Sequence, residues 1–162
     1  MSIEHRNPKF VRVDRRRVLG ACLAAAALAG IDRVGAAPAS VVDVYKSASC
    51  GCCGKWIAHM RANGFAVRAH DVAEPAVYRA KLGVPEALGS CHTATVSGYV
   101  LEGHVPAREV RRVLAERPKA RGLAVPSMPP GSPGMEGPPP QPYAVLLFDA
   151  QGRTTVFARY PG

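Results

Sequence analysis

The sequence predicts an α/β domain, and three observations carry that expectation. Strand-like and helix-like runs alternate from Val41 to Glu116. A cysteine cluster, Cys50-Gly51-Cys52-Cys53, lies between the first strand-like run and the first helix-like run. The chain closes on two strand-like runs, Tyr143 to Phe148 and Thr154 to Tyr160, around Asp149-Ala150-Gln151-Gly152. A short Gly-containing link between such runs is a β-hairpin signal.

The elements follow in order. Residues 1–36 read as a leader: a polar, basic start, then Arg15-Arg16-Arg17-Val18-Leu19, an alanine-rich apolar run from Ala21 to Ile31, and small residues up to Ala36 or Ala39. This is the layout of a secretory signal peptide, and paired arginines before two apolar residues resemble the twin-arginine export signal. The apolar run is too short for a good membrane span. Cys22 falls inside it and is set aside from the chemistry. Export places the mature chain where thiols oxidise.

Val41 to Tyr45 reads as a buried strand. Lys55 to Ala62 reads as a helix closed by Asn63-Gly64, a C-terminal stop signal, with Trp56, Ile57 and Met60 on its apolar face. His59 is expected at solvent. Phe65 to Val72 alternates as a second strand and ends near a surface His70. Pro75 opens a helix to Leu82, with proline where a first turn tolerates it. A short helical piece, Glu86 to Leu88, leads to Gly89-Ser90-Cys91-His92-Thr93. One or two strands follow from Thr93 to His104, then a helix from Pro106 to about Glu116 with Val110, Val113 and Leu114 inward. Strand, cysteine loop, helix, strand, helix, strands, helix is the order of a thioredoxin-like α/β domain, here placed over residues 40–162. Residues 126–142 are dominated by proline and glycine and exclude helix and sheet, yet they hold Met128 and Met135.

Net charge is +9 over 162 residues. Residues 37–162 keep 14 Lys/Arg against nine Asp/Glu, a modest surplus. The one local concentration, Arg108, Arg111, Arg112, Arg117, Lys119 and Arg121, carries no interleaved aromatics, so it reads as a solvated helix face rather than a nucleic-acid surface. No later apolar run is long enough to span a membrane.

Four cysteines remain beyond the leader: Cys50, Cys52, Cys53 and Cys91. Two structural disulfides would use them all, but a bridge between the neighbours Cys52 and Cys53 is strained. Cys50 and Cys53 keep the Cys-X-X-Cys spacing at a helix start, where the dipole lowers a thiol pKa. That leaves a thiol–disulfide oxidoreductase open, with Cys50 as nucleophile and Cys53 as resolving thiol. Cys52 is a liability for that chemistry because it invites wrong bridges. For a soft ion it is an asset: thiolate and thioether select Cu(I), and bridging thiolates hold several ions. Met128 and Met135 supply candidate thioethers; His92 and His104 supply candidate imidazoles. Zinc is a rival, although its ligands usually come as two separated pairs; iron–sulfur clusters favour wider cysteine spacings.

Tyr45 to Trp56, Gly89-Ser90-Cys91-His92-Thr93-Ala94, Gly98 to Pro106, Gly122 to Pro129 and Gly131-Ser132-Pro133-Gly134-Met135-Glu136 together resemble the CopG-type family of exported metal-binding proteins tied to copper resistance, long carried as a domain of unknown function. The resemblance spans essentially the whole mature chain. It implies a thioredoxin-like fold in the periplasm, copper bound by Cys50, Cys52, Cys53 and Cys91 with methionine or histidine support (Met128, Met135, His92), and a role in copper redox or detoxification. Several Cu(I) ions per chain and other periplasmic copper-handling proteins as partners are the corresponding expectations; any catalytic turnover would be copper redox. Two departures stand out. Cys91-His92-Thr93 occupies the place of the thioredoxin cis-proline, and Ser127 stands where the family's Val-Pro-Gly-Met stretch has glycine.

Overall fold

The computed structural model describes residues 40–162. The expected leader, its arginine pair, its two cleavage points and Cys22 lie outside the described residues. No described helix is long and apolar enough to cross a membrane.

The described chain is a mixed α/β unit with one seven-stranded sheet and three helices. In order it runs β1 (Val41–Lys46), α1 (Gly51–Ala62), β2 (Ala66–Asp71), α2 (Pro75–Lys81), a 3-10 turn (Glu86–Leu88), β3 (His92–Val96), β4 (Tyr99–Gly103), α3 (Ala107–Glu116), β5 (Gly122–Val125), β6 (Tyr143–Phe148) and β7 (Thr154–Tyr160). The strands lie in the order β2-β1-β3-β4-β5-β6-β7. β1 pairs parallel to β2 and β4 parallel to β5, the connections being made through α1 and α3. The other neighbours are antiparallel.

Local chemistry explains most boundaries. α1 ends where Gly64 takes φ 82°, a conformation glycine adopts without steric cost. Ser97 and Gly98, at φ 47° and 88°, supply the two positive-φ positions of a tight hairpin turn between β3 and β4. α3 stops at Arg117 in the left-handed region, and Pro118 follows.

Two elements differ from the sequence reading. α1 begins at Gly51, so Cys52 and Cys53 lie in its first turn and Cys50 is its N-cap, rather than all three lying in a loop before it. Gly51 and Gly54 mask this start, because glycine is a poor helix former. β5 was not expected at all. Its four residues are all buried, and so short an apolar run cannot be told from a buried helix segment by periodicity alone.

The period-2 pleat sends side chains to both faces of the sheet. On one face Val42, Val44, Ala94, Val96, Leu101, Leu123, Val125 and Val145 pack with Trp56, Ile57 and Met60 of α1 and Val110 and Val113 of α3. On the other, Val100, Ala124 and Phe148 pack with Val84 and Leu88 around the 3-10 turn. Trp56 and Met60 are core residues, as expected. His59 is not left to solvent: its Nε2 accepts a hydrogen bond from the Ala107 N–H, 3.1 Å away, at the start of α3. His70 bonds Asp43 Oδ1 at 2.8 Å and stacks on Tyr45.

Candidate metal centre

The centre forms where three segments meet: the first turn of α1, the Ser90–His92 turn into β3, and the Pro/Gly-rich loop. Cys50 is the N-cap of α1 with extended backbone (φ −75°, ψ 94°), and no acidic residue lies in the first turn. The unpaired N–H groups and the dipole there favour negative charge, so thiolates suit this position.

The sulfurs converge. Cys52 Sγ lies 3.5 Å from Cys50 Sγ and 3.7 Å from Cys91 Sγ. One ligand atom from each of Cys50, Cys52, Cys53 and Cys91 falls within 4.8 Å of the others. Cys50 and Cys53 are joined as a disulfide, while Cys52 and Cys91 are free thiols. Adjacent Cys52 and Cys53 both bring their sulfurs to this centre. Cys53 is fully buried with its sulfur 3.7 Å from the Cys91 carbonyl. Cys52 is half-exposed and faces Met128, whose Sδ is 3.9 Å away.

The second methionine is placed differently. Met135 is half-buried, and its backbone N–H and C=O bond Ser132 and Gly131. Gly134 (φ +92°) is why the loop can lie here: a Cβ on it would sit 2.8 Å from the Cys52 carbonyl oxygen and 2.9 Å from the Trp56 nitrogen. The backbone of the loop thus rests directly on α1.

Two imidazoles line the other side of Cys91. His104 Nε2 is 2.9 Å and His92 Nδ1 3.3 Å from Cys91 Sγ. Cys91, His92 and His104 form a second group of mutually close ligand atoms. His104 Nδ1 lies 2.8 Å from the Pro133 carbonyl. Only a protonated Nδ1 can donate there, so Nε2 carries the lone pair toward Cys91. Among the described residues, His92 Nε2 is buried without a hydrogen-bond partner. Burial, then nearby His104, lowers His92 to about 3; burial likewise lowers His104. Both rings are therefore neutral at ordinary pH, the form that ligates metal. Burial, then the neighbouring Cys52 sulfur, pushes the Cys91 thiol up to about 12. A metal entering here must displace that proton, as thiolate ligation requires.

Glu102, which the sequence reading passed over, fixes this side of the centre. Its carboxylate is fully buried and accepts hydrogen bonds from the Ser90 N–H at 2.7 Å and the Thr93 hydroxyl at 2.6 Å. Arg79 Nε is 3.7 Å away. Burial holds Glu102 above the usual carboxylate range, against the pull of those partners. The signal for it was an acid within the otherwise uncharged run Tyr99 to Val105. Ser90 also donates its hydroxyl to the Ser127 carbonyl, and Ser127 N–H bonds the Gly89 carbonyl at 3.1 Å. The Cys91 turn and the residue before Met128 are thereby tied together.

A soft, sulfur-rich donor set on an α/β scaffold defines the class: a domain whose thiolate cluster can hold a metal. Two solved structures match the described architecture. One, described as copper resistance protein CopG, form 2, is 45% identical, with 76% of this chain and 99% of that chain covered and a TM-score of 0.72. The other, described as form 1 of the same protein, is 46% identical over 75% of this chain and 98% of that chain, with a TM-score of 0.71. The family model described as "Protein of unknown function, DUF411" matches residues 88–135, from the Cys91 turn to Met135. No curated protein matches. The chain belongs to the CopG family of copper resistance proteins.

Proposed function

We propose that this chain is a periplasmic copper-binding protein that sequesters Cu(I) through Cys50, Cys52, Cys53 and Cys91 and cycles copper between Cu(I) and Cu(II) in copper resistance. The observation that carries this reading is the convergence of four cysteine sulfurs within 4.8 Å with a thioether 3.9 Å from one of them. Thiolate and thioether are the donors that select Cu(I). Met128 closes the centre from the loop, with Met135 one residue beyond the Gly134 contact; His92 and His104 offer imidazole to the harder Cu(II). Residues 1–36 serve as a twin-arginine-type export signal, and other periplasmic copper-handling proteins exchange the metal. The order β2-β1-β3-β4 with α1 and α2 between strands supports reading the first part of the domain as thioredoxin-like.

The test is copper content with and without the middle thiol. Purified reduced protein should retain two or more coppers per chain after desalting, in preference to zinc offered at equal concentration. Cys52→Ser should remove most of that copper, and unchanged stoichiometry would sink the reading.

One observation favours a second reading. The Cys50–Cys53 disulfide at the start of α1 is the arrangement of a dithiol oxidoreductase. One feature weighs against it: Cys52 lies 3.5 Å from Cys50 and competes for it. Metal-free insulin reduction that survives Cys52→Ser would move the assignment to this second reading.

A further inference from the structure

With Cys50 and Cys53 joined, the rest of the soft donor set stays assembled. Cys52 and Cys91 are free thiols 3.7 Å apart. Met128 Sδ is 3.9 Å from Cys52, and His104 Nε2 is 2.9 Å from Cys91. With a metal–sulfur bond of about 2.3 Å, taken from zinc thiolates, two sulfurs on one ion lie about 3.8–4.0 Å apart in tetrahedral or trigonal geometry. Both sulfur–sulfur separations match that spacing in the disulfide form as it stands.

Resting on the Cu(I) reading above, we infer that the centre has two copper-holding states, in which the Cys50–Cys53 bond sets capacity without emptying the site. In the reduced state all four thiolates hold a multi-ion centre. In the disulfide state one Cu(I) remains on Cys52, Cys91 and Met128, with His104 beside it. The asymmetry comes from the helix turn. Cys53 is buried with its sulfur against the Cys91 carbonyl, whereas Cys52 faces Met128 and Cys91, so closing the bond takes up Cys50 and Cys53 and leaves that second group of donors in place. Reduction of the bond by an external dithiol delivers two electrons and two protons. It returns Cys50 and Cys53 as thiols and leaves the dithiol as a disulfide. The two thiols lose their protons when further copper binds. The thiol redox state of the surroundings thereby meters how many ions the protein carries.

The experiment titrates purified protein with Cu(I) buffered by a bicinchoninate chelator, anaerobically. One sample is oxidised with glutathione disulfide, with the Cys50–Cys53 bond confirmed by peptide mapping; the other is reduced and freed of reductant. The expected result is one Cu(I) per chain in the disulfide form and two or more in the reduced form. The double variant Cys50→Ser/Cys53→Ser cannot form the bond and should hold one Cu(I) in either condition. Cys52→Ser should empty the disulfide form. A disulfide form that binds no Cu(I) while reduced protein does would overturn the inference and leave the proposed function standing. Equal stoichiometry in the two states, or a double variant that binds none, would overturn it equally. Failure of the reduced protein to take up Cu(I) would remove both.

Discussion

Glu102 holds the Cys91 turn through two hydrogen bonds to a carboxylate with no solvent contact. Removing it leaves the buried Thr93 hydroxyl without this partner, at about 1–3 kcal/mol, and costs the part-buried Ser90 N–H its acceptor as well. Glu102→Ala should therefore lower the melting temperature and weaken copper binding about tenfold. Glu102→Gln can still accept from Ser90 and donate to the Thr93 oxygen, so it should restore binding and the copper absorption spectrum. Equal copper affinity in wild type and the alanine variant would show that Glu102 supports only the fold. Ser127 makes a second case at this scale. Its φ of 62° is a region that costs L-residues roughly 1–2 kcal/mol and that glycine adopts without that penalty. Ser127→Gly should raise stability by a few tenths to about 1 kcal/mol, less the greater freedom of glycine in the unfolded chain, as read by chemical denaturation.

Among the elements, α1 and the Pro/Gly-rich loop depend on each other. The helix supplies the thiols and the positive end of its dipole; the loop supplies Met128 and seals the first turn through Gly134. A methyl group at Gly134 would press on backbone atoms of Cys52 and Trp56, which side-chain rotation cannot relieve. The positive φ adds strain for any other residue. Gly134→Ala should lift the loop and lower Cu(I) affinity about tenfold, while the far-UV circular dichroism stays unchanged because the loop contains no helix or strand. Wild-type affinity in that variant would mean the loop is a spectator.

At the scale of the whole molecule, the C-terminal hairpin extends the sheet and is fastened to α3. The Tyr160 hydroxyl donates to Glu109 Oε1 at 2.9 Å, Arg108 pairs with the same oxygen at 2.7 Å, and Tyr160 stacks on Tyr143 with ring centroids 4.7 Å apart. Burial, then Glu109, pushes the Tyr160 hydroxyl up to about 12. The folded chain keeps a proton that the unfolded chain loses near pH 10. The stability this contact provides is thus complete below about pH 10 and lost as pH rises through about 12. Thermal unfolding followed from pH 8 to 12 should show that decline, and Tyr160→Phe should flatten it. An identical decline in the variant would assign it to other groups.

Much of this molecule can be read from the chain alone, because local rules govern what was read. Prolines and glycines punctuate the chain at fixed places. The short link Asp149-Ala150-Gln151-Gly152 between two strand-like runs identifies the hairpin, whose strands, Tyr143–Phe148 and Thr154–Tyr160, have the expected bounds. Apolar residues three and four apart place Trp56, Ile57 and Met60 in the core. The cysteine spacing narrows the chemistry to soft metals or dithiol exchange. Other features depend on partners distant in sequence. β5 is a strand because β4 and β6 flank it, not because its four residues say so. Glu102 is a buried anchor only once Ser90 and Thr93 are folded beside it. The closeness of Met128 to Cys52, 76 residues away, and of His104 to Cys91 arises from chain crossings that no local pattern encodes. Residue types and spacings determined which ligands the chain offers; the packing of the sheet, α1 and the loop decided which of them meet.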